Sequence, residues 1–175
     1  MRIEPLIEEE TLRARVAALA DELWRDYADA PLTVLCVLDG AGRFTDDLLR
    51  HLAVRGLAPD RIDIRAHKPE DMATGPVTLE NFDPEALEAR DVLIVDDIAD
   101  EGITLRGILD LLTLGEPRSA RVCVLLDKAA RRSADLPLAY VGFEIEDAWV
   151  IGYGMDVDGE YQDLDWIGAL RDDRF

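Results

Sequence analysis

Lysine is almost missing from this chain. Of its nineteen basic residues only Lys68 and Lys128 are lysines, and the rest are arginines. Positive charge is scarce altogether, with nineteen Lys and Arg against thirty-eight Asp and Glu, a formal net charge of -19 over 175 residues. A surface this acidic repels nucleic-acid phosphate and anionic lipid, which argues against either as a partner. The acidity is compatible with solubility, with adaptation to high salt or with a GC-rich genome, and by itself names no activity. Cysteine is equally scarce. Cys36 and Cys123 each sit inside an apolar run and read as small buried hydrophobes, not as a disulfide or a metal site. The two histidines, His51 and His67, show no partner spacing. No apolar stretch approaches the ~18 residues of a membrane span. The opening MRIEPLIEEE has no apolar leader segment, so a cytoplasmic location is expected. No repeat, low-complexity tract or long Pro/Gly/Ser linker divides the chain.

Hydrophobic residues make up 49% of the chain, enough for a sizeable core in one domain. Residues 8–27 carry Leu12, Val16, Leu19, Leu23 and Trp24 at three- and four-residue steps, the pattern of an amphipathic helix. A second helix is expected from Phe44 to Val54 and a third from Thr104 to Leu114. LTVLCVL from Leu32, VLIV from Val92 and RVCVLL from Arg121 are near-continuous apolar runs, as in strands buried on both faces. Arg61 to Ala66 reads as a shorter strand, and residues 67–81 as an irregular loop with a hairpin near Val77 to Leu79. Further strand segments are expected near Tyr140 to Phe143 and Trp149 to Ile151, and the tail from Asp163 ends in a short helix or strand. Apolar strands alternating with amphipathic helices indicate an α/β fold with a parallel twisted sheet flanked by helices. Such sheets bind ligands at the carboxyl ends of their strands. Three strand ends carry polar punctuation: Asp39-Gly40, Asp96 to Thr104, and Asp127-Lys128. These three loops should line one crevice.

The most informative segment is VLIVDDIADEGITL, Val92 to Leu105. A buried strand delivers Asp96 and Asp97, then Asp100, and a glycine and a threonine open the next helix. Adjacent acids at a strand end suit vicinal hydroxyls and a magnesium ion. Backbone N–H groups at a glycine turn before a helix suit a phosphate. The segment thus reads as a ribose-phosphate cradle, beside the plainer reading that the acids cap the helix and solvate a turn.

This pattern resembles the phosphoribosyl-diphosphate (PRPP) motif of type I phosphoribosyltransferases, closest to the hypoxanthine-guanine branch. VLDGAGRFTDDLLRHL resembles the pyrophosphate loop and following helix of that family. LLDKAARR resembles the strand whose lysine contacts the purine, and VGFEIEDAWVIGYGMDVDGEY resembles the C-terminal hood. The resemblance implies a type I phosphoribosyltransferase fold over residues 1–175, with a small hood from about 129–175 plus the N-terminal residues. It implies Mg²⁺-dependent transfer of phosphoribosyl from PRPP to a 6-oxopurine, hypoxanthine or guanine, in purine salvage, by a homodimer or homotetramer.

Carried over by position, Asp96 and Asp97 would hold the ribose hydroxyls. Asp100 would manage the purine N7 proton, its pKa raised by neighbouring Asp97 and Glu101. Glu101, Gly102, Ile103 and Thr104 would form the 5′-phosphate loop, and Asp39 with Gly40 the pyrophosphate loop. Lys128 would donate to the exocyclic O6, Trp149 would stack on the base and the backbone of Val150 would read its edge. Asp156 would lie beside magnesium, with Asp96 and Asp97 as its companions. The phosphate side departs from the family pattern. Asp39 stands where a lysine is usual, Glu101 where a threonine is usual and Gln162 where an arginine is usual, and the lid stretch near His67-Lys68-Pro69 has no Ser-Tyr pair. Three readings follow: an active 6-oxopurine enzyme, a diverged relative with a less anionic substrate, and a non-catalytic nucleotide-binding or regulatory protein. A response-regulator receiver domain also uses paired acids, a threonine and a lysine, but places the acid pair after its first strand.

Overall fold

The computed structural model describes residues 2–67 and 77–171. Most of the irregular loop, and with it Lys68-Pro69 of the lid stretch, lies outside the described residues. The layers follow from alternation along the apolar runs. In β2 (Leu32–Val37) every residue is buried. Leu32 and Val34 face one side, while Leu35 and Val37 face the other. Strands β5 (Asp91–Ala99) and β6 (Ser119–Asp127) repeat this, with Leu93, Val95, Cys123 and Leu125 on the first side and Val92, Ile94, Val122 and Val124 on the second. Helices α1 (Glu9–Tyr27) and α2 (Gly42–Val54) cover the first side through Leu12, Val16, Leu19, Leu23, Phe44, Leu48 and Leu52. Helix α3 (Ile103–Leu112) covers the second through Leu105, Ile108 and Leu112. Trp24, expected on the apolar stripe of α1, is 40% exposed, because one step beyond Leu23 the helix turns it off the buried face.

The sheet has the order β4-β3-β2-β5-β6-β7, completed by β3 (Asp60–His67), β4 (Thr78–Glu80) and β7 (Leu138–Glu144). Five strands are parallel, and β4 runs antiparallel at the edge beside β3. The path through β2, α2 and β3 builds the sheet in one direction, and the path through β5, α3 and β6 builds it in the other. The order therefore reverses between β2 and β5, where ligands of open α/β sheets bind. A second, antiparallel sheet joins β1 (Arg2–Ile7), β9 (Ile167–Arg171) and β8 (Trp149–Ile151) in the order β1-β9-β8. Its register runs from Arg2 opposite Arg171 to Ile7 opposite Ile167, so the two ends of the chain close one small sheet. The tail, open between helix and strand in the sequence, thus carries a strand at Ile167–Arg171. Among the described residues no helix is long and apolar enough to cross a membrane.

Candidate functional site

The loop after β2 holds Asp39 and Gly40, following a cis peptide between Leu38 and Asp39. Gly40 lies flat against the Asp97 carboxylate. A β-carbon there would stand 1.9 Å from Asp97 Oδ2, so any side chain would have to displace that carboxylate or the turn. Asp39 points outward and pairs with Arg65 of β3, Nη1 to Oδ1 at 2.6 Å. That guanidinium holds the Asp39 carboxyl below the usual carboxylate range.

The end of β5 contributes Asp96 and Asp97. Asp97 N–H donates to Asp96 Oδ1 at 3.0 Å, and Ile98 N–H donates to Asp97 Oδ1 at 2.9 Å. Asp96 is buried, and burial, reinforced by the neighbouring Asp97 charge, pushes its carboxyl well above the usual range. Beyond it the chain turns through Gly102, whose φ of +85° favours glycine, into the N-terminus of α3. The first amides of α3 have no acceptor within the helix and carry its positive dipole end. A hollow of about 350 Å³ opens there, lined by Asp96, Asp100, Glu101, Gly102, Thr104 and Arg131 among others.

Lys128, at the end of β6, is 7% exposed. Its N–H donates to Ala99 O at 3.0 Å, and its Nζ lies 3.6 Å from Asp100 Oδ2 and 3.7 Å from Asp147 Oδ1. Arg131 reaches the same two acids, with Nε 2.5 Å from Asp100 Oδ1 and Nη1 3.1 Å from Asp147 Oδ2. Trp149 is 67% exposed, so it is not a core aromatic, while Val150 beside it is buried. A second hollow, of about 460 Å³, brings Asp39, Gly40, Asp97, Lys128, Trp149 and Asp156 to one wall or another. It shares Ile98, Asp100 and Arg131 with the first, so the two form a continuous crevice. A larger hollow of about 540 Å³ lies between α1, α2 and Tyr153. Its Arg13, Arg43 and Arg50 are paired with Glu9, Asp165 and Asp47.

A family model described as phosphoribosyl transferase domain matches residues 7–158. The chain is 36% identical over 166 residues to the hypoxanthine-guanine phosphoribosyltransferase of Bacillus subtilis, covering 95% of this chain and 92% of that one. It is 36% identical over 168 residues to the hypoxanthine-guanine-xanthine phosphoribosyltransferase of Tritrichomonas foetus, covering 95% and 91%. A crystal structure of a hypoxanthine-guanine phosphoribosyltransferase from Bacillus anthracis superposes with a TM-score of 0.89 at 34% identity, covering 96% of this chain and 98% of that one. The chain belongs to the type I phosphoribosyltransferase family, in its hypoxanthine-guanine branch.

In this phosphoribosyltransferase the expected residues of all three strand ends and of the hood face one crevice, with two differences from the sequence reading. Asp100 is not surrounded by carboxyls alone, since Arg131 and Lys128 both pair with it and the same Arg131 guanidinium also meets Glu101. The trio Asp96, Asp97 and Asp156 does not form a ready-made metal cage. Among the described residues no group of three or more His, Cys, Asp or Glu side chains has metal-binding geometry. Asp156 Oδ2 is engaged by Gly159 N–H at 2.7 Å. Gln162 serves the hood through its carbonyl, which accepts from Gly154 N–H at 2.9 Å. Sequence reasoning missed Arg65, Arg131 and Asp147. The only signal for Arg131 was the basic run Lys128 to Arg132 in an otherwise acidic chain, and Arg65 and Asp147 had none.

Proposed function

We propose that this phosphoribosyltransferase transfers the 5-phosphoribosyl group of PRPP to hypoxanthine or guanine in purine salvage, releasing pyrophosphate. The observation that carries the reading is Lys128. A buried, positively charged single donor beside an exposed indole suits the O6 of a base stacked on Trp149 and offers nothing to an exocyclic amine. The backbone of Val150 reads the base edge. The Gly102–Thr104 turn takes the 5′-phosphate through backbone amides and the Thr104 hydroxyl. Asp96 and Asp97 at the end of β5 meet the ribose hydroxyls.

In the reaction the bond from ribose C1 to the pyrophosphate oxygen breaks, the bond from C1 to purine N9 forms, and the proton displaced from the purine passes to Asp100. Positive charge develops at C1 between carboxylates, so positioning and electrostatics supply most of the catalysis. Magnesium held mainly by pyrophosphate oxygens and water, with Asp97 and Asp156 as the protein carboxylates lining that part of the crevice, would neutralise the leaving group. The same reading carries a cytoplasmic homodimer or homotetramer, the assembly being checked by sedimentation of the purified chain.

The test is turnover of PRPP with hypoxanthine, guanine and xanthine, with and without Mg²⁺, at low and high salt. Nucleotide formation from hypoxanthine or guanine is expected only with Mg²⁺. Binding of GMP or IMP without turnover of any base would make the chain a nucleotide-binding protein instead.

A further inference from the structure

We infer that Arg131 is a ligand-binding residue of the nucleotide site, a side-chain cation for the 5′-phosphate that offsets the acid the phosphate turn carries at Glu101. The inference rests on the function proposed above. Among the described residues lining the phosphate hollow, Arg131 is the only lysine or arginine, and the same side chain borders the adjoining hollow at Lys128 and Trp149. Glu101 sits in the turn whose amides face that hollow, and its carboxylate would repel a phosphate dianion.

The Arg131 guanidinium lies beside that carboxylate, Nη2 to Oε1 at 3.8 Å. Its other partners are Asp100 and Asp147, at 2.5 and 3.1 Å. With three carboxylates around one half-exposed guanidinium, no single pair holds it strongly, since each is partly solvated. A phosphate dianion presents more charge and a geometry that a planar guanidinium can meet with two parallel N–H bonds.

The backbone carrying Arg131 is fixed where this exchange needs it. Ser133 N–H and Ala134 N–H both donate to Glu101 O, at 3.1 and 3.2 Å. Arg132 Nε donates to Asp100 O at 3.4 Å, and Lys128 N–H donates to Ala99 O. Residues 128–134 are thus stitched along residues 99–101, and the phosphate turn and the arginine form one platform. Only the side chain has to swing from carboxylate to phosphate.

The experiment is calorimetric titration of the full chain and its Arg131→Ala and Arg131→Lys variants with GMP and with guanosine, together with KM for PRPP and for hypoxanthine. Loss of a charge-assisted pair predicts GMP affinity in Arg131→Ala down about tenfold or more, with guanosine affinity unchanged. KM for PRPP rises and KM for hypoxanthine does not. Arg131→Lys, which keeps the charge and its folding context, recovers part of the GMP affinity. Equal weakening of GMP and guanosine would place Arg131 on the base side and overturn the inference, as would GMP affinity unchanged in both variants. If the wild-type chain binds GMP no better than guanosine, the function proposed above fails first, and the two failures are distinguished by that control.

Discussion

Strand β5 carries two buried aspartates, Asp91 where it starts and Asp96 towards its far end, and their carboxyls are displaced in opposite directions. Asp91 receives the Arg118 guanidinium and, at 2.6 Å, the Ser119 hydroxyl, and these donors hold it below the usual carboxylate range. Asp96 has no cationic partner among the described residues, is buried and stands next to Asp97, so it is pushed upward. One end of the strand spends its acid on holding β5 to β6. The other leaves its acids uncompensated at the point where the sheet order reverses and a ligand enters. At Asp96 burial and a neighbouring like charge displace the carboxyl where the ligand enters, while at Asp91 a dedicated partner holds structure.

The largest way to break this comparison is at the ligand end. Lys128→Ala removes the buried ammonium between Asp100 and Asp147. It should lower kcat/KM for the base on the order of 100-fold, measured by steady-state assay, because a donor built for one substrate atom is lost. Gly40→Ala forces a β-carbon into Asp97. The pyrophosphate turn or the carboxylate must shift, and activity should fall about tenfold with KM for PRPP rising. Both substitutions should leave the melting temperature less affected than the activity, and a parallel collapse of melting would contradict the division of labour.

At the other end the signs reverse. Asp91→Asn should cost about 1–2 kcal/mol of stability with kcat unchanged. Because the folded Asp91 carboxyl is depressed, its contribution is present above about pH 4, the unfolded value, and disappears as pH falls through the folded one. The melting difference between wild type and Asp91→Asn should therefore shrink under acid.

The smallest effect belongs to Asp96. Its raised folded value means that stability is fully present below about pH 4 and is lost as pH rises through the folded value. Asp96→Asn, melted without divalent cations, should gain on the wild type as pH rises from 4 towards neutrality. A gain that shrinks with pH would show that the carboxylate is stabilised in place.

Much of this was legible because it is local. The runs at Leu32, Val92 and Arg121 are buried strands because each residue needs only two apolar faces to meet, and the helices follow from spacing. The edge strand β4 was legible only as part of an ambiguous loop, since three residues carry too little pattern to specify a partner. Lys128 stood out by rarity, and the Asp96 to Thr104 segment by the order of its acids and glycine. The surroundings of Asp100 were not legible, because counting acids along the chain takes no account of cations arriving from elsewhere in the fold.

By itself the sequence determined the elements, their α/β order and the three strand ends that meet in one crevice, since these depend on periodicity and on residues adjacent in the chain. Only the tertiary structure decided which charges face one another. It closed the hood by pairing Arg2 with Arg171, set Arg65 against Asp39, and laid Arg131 across Asp100, Glu101 and Asp147. These partners are separated by 16 residues or more along the chain and come from different elements. A Coulomb interaction depends on distance through space, so no local pattern could have recorded that the acids of the phosphate loops bring their own arginines with them.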